Sequence, residues 1–216
     1  MVYRRRSYRR RSRRRPAWYN KKYSTAQIAR AAWRATKYIK GLVNSEMLHH
    51  DVGQDATTVL STGTVYALTA ISNGDDSGTR TGNSILLRTL LNRIRFTKHA
   101  SATTTVVRFM LVWDTQQIGD TTPAAGDILQ YADVDSPLNL ASSGRFKVLV
   151  NKTVALSSQM PIWHSERYLK LYKHVRYNGA ASVDIQRNGL YLLVVGDQAT
   201  NLPTMDWYAR VGYHDN

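Results

Sequence analysis

The sequence contains no cysteine, no acidic residue before Glu46 and no long apolar run. Without cysteine, the chain can form neither disulfides nor thiolate metal sites. No apolar stretch approaches the roughly 18 residues of a spanning helix, so we expect no membrane partner. The charged N-terminus is not followed by an apolar segment, so we do not expect a secretory signal peptide.

The lack of early acidic residues leaves a strongly basic N-terminal segment. The chain has 30 Lys and Arg residues against 15 Asp and Glu, a formal net charge of +15. Residues 1–40 contain 15 of the basic residues, so residues 41–216 hold 15 basic and 15 acidic residues. The body is therefore formally neutral, and this distribution indicates separate roles for body and tail.

Residues 1–23 are predicted to form a disordered, arginine-rich arm. Residues 1–15 read MVYRRRSYRRRSRRR, with too little apolar surface to offset the entropy of ordering. Arginine pairs bidentately with phosphate, and the interspersed tyrosines can stack on the bases of single strands. The alternatives are a solubilising tail or a nuclear import signal, and import could be a second use of the same arginines.

Residues 24–41 are predicted to form a basic amphipathic helix. Ser24 and Gln27 have the spacing of a capping box, and Gly41 suits the position just after the helix. Such a helix could pack on its own domain or line a shell. The residues of arm and helix expected to bind nucleic acid are Arg4, Arg5, Arg6, Arg9, Arg10, Arg11, Arg13, Arg14, Arg15, Lys21, Lys22, Arg30, Arg34 and Lys37.

Residues 42–216 are predicted to form one all-β domain. Alternation of apolar and polar residues indicates eight strands, near 44–52, 63–71, 84–98, 104–114, 145–156, 166–177, 189–196 and 206–214. A phase shift near Leu90-Leu91 predicts a bulge, and Pro123 suggests a helix in the segment that follows it. Eight strands without βαβ alternation favour a two-sheet sandwich, and we expect a single eight-stranded jelly roll.

A series of short motifs extends over most of residues 60–216. The motifs are Gly63-Thr64-Val65, Asn73-Gly74-Asp75-Asp76, Arg80-Thr81-Gly82, Val107-Arg108-Phe109, Thr121-Thr122-Pro123, Arg145-Phe146-Lys147-Val148-Leu149, Tyr177-Asn178-Gly179-Ala180 and Val195-Gly196-Asp197. In their sequence and their order along the chain, they resemble the capsid protein of satellite tobacco necrosis virus and its relatives.

The arm departs from that family. Its tyrosine-interrupted arginine triplets resemble the capsid N-termini of circoviruses and other small circular single-stranded DNA viruses. The two resemblances together imply a capsid protein that self-assembles into a small icosahedral shell (T=1, roughly sixty copies). They imply a single-stranded viral genome, DNA ahead of RNA, bound by inward-pointing arms. The protein would occupy the virion and, for a DNA virus, the host nucleus, reached through host import factors.

The satellite-virus resemblance also implies structural Ca²⁺ at subunit contacts, and no other cofactor is expected. The matching positions are Thr81, Ser84 and Asp215. The acidic residue that the family has after the glycine of this turn is Asn83 here, which weakens the local negative charge.

Other functions find less support in the sequence. Gly74-Asp75-Asp76 matches a string found in viral polymerases, but it lies among turn residues, and the chain is too short to contain a polymerase palm. The histidines lack the spacing of a zinc site. No enzyme is therefore predicted. A cellular nucleic-acid-binding protein would usually carry basic residues on its folded body too. Tyr168, Lys170, Tyr172, His174 and Arg176 share one strand face, which suits a nucleic-acid contact, a subunit contact or a solvated surface.

Overall fold

The alternating segments of the sequence form β-strands in the computed structural model, which describes residues 24–42 and 46–215. Within these residues there are nine strands, and eight of them overlap the eight predicted ones. The strands are β1 Met47–Thr58, β2 Thr64–Ala67, β3 Ser84–Thr97, β4 Thr104–Asp114, β5 Phe146–Ser157, β6 Ile162–Tyr177, β7 Ile185–Arg187, β8 Gly189–Gly196 and β9 Thr204–Asp215. The short β7 was not predicted.

The strands form two antiparallel sheets, with orders β1-β9-β3-β6-β7 and β2-β8-β4-β5. Apart from β7, the first strand pairs with the last, the second with the next to last, the third with the sixth and the fourth with the fifth. This is the nested pairing of a jelly roll, so the predicted fold class is confirmed.

The core lies between the inner faces of the two sheets. Met205, Trp207, Ala209, Val211 and Tyr213 alternate along β9 and are all buried, as the period of two predicts. The predicted apolar face of β4 is also buried, and its Phe109 ring lies 5.9 Å from Phe96 and 5.6 Å from Trp163 between ring centroids. Such aromatic pairs add about 0.5–1.5 kcal/mol each beyond the burial of their area.

The outer face of the four-stranded sheet is covered as well, which sequence alternation did not predict. Arg108, on the opposite face of β4 from Phe109, is buried, and its guanidinium donates to Asn151 Oδ1 and to the carbonyls of Val134 and Ser136. The long connection 115–145 therefore folds over this face. Burial on both sides explains why β8 reads as a continuous apolar run, Leu190 to Val195.

Two local predictions need correction. The β3 bulge lies between Leu87 and Thr89 rather than at Leu90-Leu91. Leu87 and Leu90 are three residues apart and both buried, so one extra residue must be accommodated between them. The helix after Pro123, α2, spans only Ala125–Ile128.

The N-terminal helix, α1, spans Thr25–Leu42. Its capping box is confirmed, since Gln27 N donates to Ser24 Oγ (3.3 Å) and Ser24 N donates to Gln27 Oε1 (3.0 Å). The helix continues through Gly41 instead of ending before it. Glycine is tolerated there because its cost relative to alanine in a helix is only about 1 kcal/mol.

Candidate nucleic-acid interface

Helix α1 carries three of its four cations on one side. Arg30, Arg34 and Lys37 follow one another at intervals of four and three residues, so they project from the same face. Arg30 and Lys37 are seven positions apart, or about 10 Å along the helix at 1.5 Å per residue. The Lys37 ammonium lies 5.4 Å from the centroid of the Trp33 ring. This face offers a basic stripe with an aromatic ring beside it, which is the chemistry of a phosphate-backbone contact.

The other predicted nucleic-acid-binding residues lie outside the described part of the chain. They are Arg4, Arg5, Arg6, Arg9, Arg10, Arg11, Arg13, Arg14, Arg15, Lys21 and Lys22. Their role stays a prediction from composition and charge. The predicted boundaries of arm, helix and jelly-roll domain stay predictions too.

Arg80 is fully buried although it carries a charge. Its Nε donates to the Ile71 carbonyl (2.9 Å), and Nη1 donates to the Gly82 carbonyl (2.7 Å). Its Nη2 donates to the Gly179 carbonyl. The guanidinium carbon lies 3.9 Å from the centroid of the Tyr177 ring, so the planar group is stacked as well as hydrogen-bonded. Arg80 is thus a structural arginine, not part of the nucleic-acid interface.

Several of the motifs noted in the sequence meet around this arginine. Asn73 N donates to the Ala180 carbonyl (2.9 Å), and Tyr177 N donates to the Asn83 carbonyl (2.9 Å). Segments roughly a hundred residues apart in the chain therefore form one cluster of turns. Motifs that are separate in the sequence therefore lie side by side in the fold, around the buried Arg80 side chain.

Of the three calcium candidates, two come together. Asp215 Oδ2 accepts hydrogen bonds from Thr81 N and Thr81 Oγ1, both at 2.5 Å. Ser84 Oγ instead lies 3.4 Å from His174 Nδ1. The Asp215 carboxylate therefore already has two donors from the chain, and Thr81 and Asp215 alone supply fewer than the six to eight oxygens that Ca²⁺ takes. Calcium binding stays a prediction.

The outer face of the five-stranded sheet has an ion-paired end. Asp51 accepts from Arg210 through both carboxylate oxygens (2.7 and 2.6 Å), and Glu166 accepts from Arg93 Nε (3.1 Å). Asp206 Oδ2 accepts from Arg95 Nε (2.8 Å) and from Arg95 Nη2. The hydrogen bond from Arg210 lowers the pKa of Asp51. For Asp206 the pKa is lowered mainly by the Ala56 N–H and then by Arg95. Such exposed pairs stabilise a fold little, but they cancel the charge of this end.

The other end of that face is basic. Tyr168, Lys170, Tyr172 and Arg176 are exposed on β6, while Leu171 and Val175 between them are buried, so the predicted shared face is confirmed. Arg88, at the β3 bulge, lies with its guanidinium carbon 4.7 Å from the centroid of the Tyr172 ring. Arg187 of β7 lies opposite Arg176. Sequence reasoning missed Arg88 and Arg187, because only the strand pairing brings them to this face.

The Gly74-Asp75-Asp76 string, which resembles a polymerase motif, lies in a loop. Asp75 and Asp76 lie in an exposed loop closed by a hydrogen bond from Gly74 N to the Arg80 carbonyl, as the loop interpretation predicted. No group of three or more His, Asp or Glu side chains that could hold a metal occurs in residues 24–42 and 46–215. Over the same ranges, no helix is long and apolar enough to cross a membrane.

Comparisons with known proteins identify the family of the chain. The family model of the satellite tobacco necrosis virus coat protein matches residues 21–216. Among solved structures, a chain from Cucumber Leaf Spot Virus is similar, with a TM-score of 0.33 and 15% sequence identity. That match covers 79% of this chain but only 56% of the other chain. No curated protein matched the sequence. Since the family model covers far more than half of the sequence, the chain belongs to the satellite tobacco necrosis virus coat protein family and is a structural protein of the virion, not an enzyme.

Proposed function

We propose that this coat protein assembles with copies of itself into a small icosahedral shell of roughly sixty subunits (T=1) and packages a single-stranded genome through its N-terminal arm. The observation that carries the proposal is the division of charge. A formally neutral jelly roll follows a segment that holds the whole net charge of +15. Neutral walls can pack closely without mutual repulsion, while the cationic arms attract phosphate.

The quantity of charge supports a packaged genome. Roughly sixty copies would carry about 900 net positive charges, enough to neutralise about 900 phosphates. That is on the order of the charge of a small single-stranded genome of one to a few thousand nucleotides. Arg30, Arg34 and Lys37 of α1 would extend the arm's contact by a further stripe of cations.

The size of the assembled protein tests the shell. Purified full-length protein is expected to form uniform particles of virus-like diameter in electron microscopy and dynamic light scattering. The control is the variant in which all nine arginines of residues 4–15 are replaced by lysine. It keeps the charge of the arm and should form the same particles. A protein that stays monomeric at high concentration, with or without added nucleic acid, would contradict the proposal.

The genome is proposed to be DNA because the arm resembles those of small circular single-stranded DNA viruses. The matched family is named for a satellite virus, so a packaged RNA is the alternative. Extracting the particles and digesting the contents with DNase and RNase separates the two. For a DNA genome, assembly in the host nucleus would require import, and residues 1–23 fused to a fluorescent protein should then accumulate in the nucleus. A fusion that stays cytoplasmic would contradict import.

Calcium at subunit contacts is a secondary proposal. Thr81 and Asp215 would supply two oxygens, Ser84 would have to turn towards them, and a neighbouring copy would supply the remaining ligands. Adding EDTA to assembled particles is expected to lower their melting temperature, and Asp215→Asn particles should not respond. If EDTA leaves wild-type particles unchanged, calcium plays no structural role in them.

A further inference from the structure

We propose that the folded domain has its own contact site for single-stranded nucleic acid, on the basic end of the five-stranded sheet's outer face. This platform consists of Tyr168, Lys170, Tyr172 and Arg176 of β6, Arg88 of β3 and Arg187 of β7. The inference rests on the proposed function, because it takes the packaged genome as its ligand. It adds a site beyond the arm, and it places that site on the jelly roll.

The two tyrosines provide stacking surfaces. Tyr168 is 59% exposed and Tyr172 is 68% exposed, although both lie in the middle of a long, ordered strand. They are four residues apart on one face, about 13 Å at 3.3 Å per residue. Aromatic rings that project from a sheet can stack on the unpaired bases of a single strand, whereas the bases of a duplex are covered by their neighbours.

Within residues 24–42 and 46–215, the cations of the platform form no ion pair. In the described residues, Arg88, Lys170, Arg176 and Arg187 have no carboxylate oxygen within 4.0 Å, unlike the three arginines at the ion-paired end of the face. Arg176 and Arg187 lie directly opposite each other across β6 and β7. Like charges in that position repel and destabilise a strand pair, so a bound phosphate between them would be favourable.

Nucleic acid fits this surface better than a second copy of the chain. Lysine is depleted at the centres of protein interfaces, and a two-fold contact through this face would set the same four cations against each other. Arg88 already stacks on one side of Tyr172, so the ring is held between a guanidinium and solvent. A base stacked on the open side would complete the pattern of aromatic and cationic contacts seen at single-strand sites.

Ultraviolet crosslinking of the full-length protein to a fluorescent oligonucleotide tests the site directly. Crosslinked peptides are expected to include residues 168–176. The Tyr168→Ala/Tyr172→Ala variant should lose roughly tenfold or more in affinity at 0.5 M salt, where the arm's electrostatic contribution is weakened. The matched control is Tyr131→Ala, because Tyr131 is equally exposed (68%) but lies in the connection that covers the other sheet.

A second variant, Lys170→Gln/Arg176→Gln, separates charge from stacking. It should reduce the slope of log affinity against log salt by about 0.7 for each phosphate that these side chains neutralise in the wild type. The tyrosine variant should leave the slope unchanged, because stacking releases no counterions. The charge variant also keeps the site testable if the tyrosine variant does not fold, which thermal unfolding would reveal.

Three outcomes would overturn the site. One is the absence of any crosslink within 168–187, and another is wild-type affinity for both variants. The third is loss of particles with unchanged oligonucleotide binding, which would make this face a subunit contact. The arm variants provide the distinction from the proposed function: if the arm proves dispensable while the platform variants lose binding, the arm proposal fails and the platform stands.

Discussion

Replacing the nine arginines of residues 4–15 with glutamine is expected to abolish packaging of nucleic acid. For single strands, each neutralised phosphate contributes about 0.7 to the slope of log affinity against log salt, so the slope should fall by up to about 6. Affinity at low salt should then fall by several orders of magnitude. Fluorescence anisotropy with a labelled oligonucleotide over a salt series measures the slope, and the absorbance ratio of purified particles reports their nucleic-acid content.

The matched control replaces the same nine arginines with lysine. Lysine keeps the charge but lacks the planar fork, so the slope should stay near that of the wild type. The thermal unfolding of the jelly roll should be the same in all three proteins. If the glutamine variant packages a normal load of nucleic acid, the arm is not the principal binding segment.

Replacing Arg80 with methionine is expected to destabilise the jelly roll by about 3 kcal/mol or more. The methionine fills much of the volume, but it removes the donor to the buried Ile71 carbonyl and to the half-buried carbonyls of Gly82 and Gly179. Each unsatisfied buried acceptor costs about 1–3 kcal/mol, and the stacking on Tyr177 is removed as well. Urea unfolding of unassembled protein, followed by tryptophan fluorescence, measures the change.

The matched control is Arg95→Met, which removes an arginine whose ion pair with Asp206 lies on the surface. Its effect should stay within about 1 kcal/mol. Arg80→Lys should also be destabilised, because a single ammonium cannot reach three carbonyls in a plane and stack on a ring. Full stability of Arg80→Lys would show that the charge alone matters at this position.

The strands could be predicted because their signal is local. Burial on one side of a sheet requires a period of two, and β9 satisfies it from Met205 to Tyr213. The sequence did not predict which strand faces are covered by other parts of the chain. Arg108 reads as an outward polar residue of β4, yet the connection 115–145 buries it, and no local pattern reports a covering segment that far along the chain.

The candidate site was predictable only in part. The arm and the cations of α1 stand out because a stretch of basic residues without any acidic residue can be recognised without knowing the fold. In the sequence, Arg80 could not be distinguished from the arginines predicted to bind nucleic acid. Its hydrogen-bond acceptors lie far apart in the chain, Ile71 before β3 and Gly179 after β6. The platform was visible only as the face of β6, without Arg88 and Arg187.

By itself, the sequence determined that the chain has a cationic tail, a capped helix and an all-β body of zero formal net charge, because charge count and periodicity are properties of neighbouring residues. Only the tertiary structure decided where the charges of that body are cancelled. The ion pairs Arg93–Glu166, Arg95–Asp206 and Asp51–Arg210 join residues 73, 111 and 159 positions apart. Their pairing neutralises one end of the sheet face and leaves the other end basic, and such a difference arises only when distant strands become neighbours.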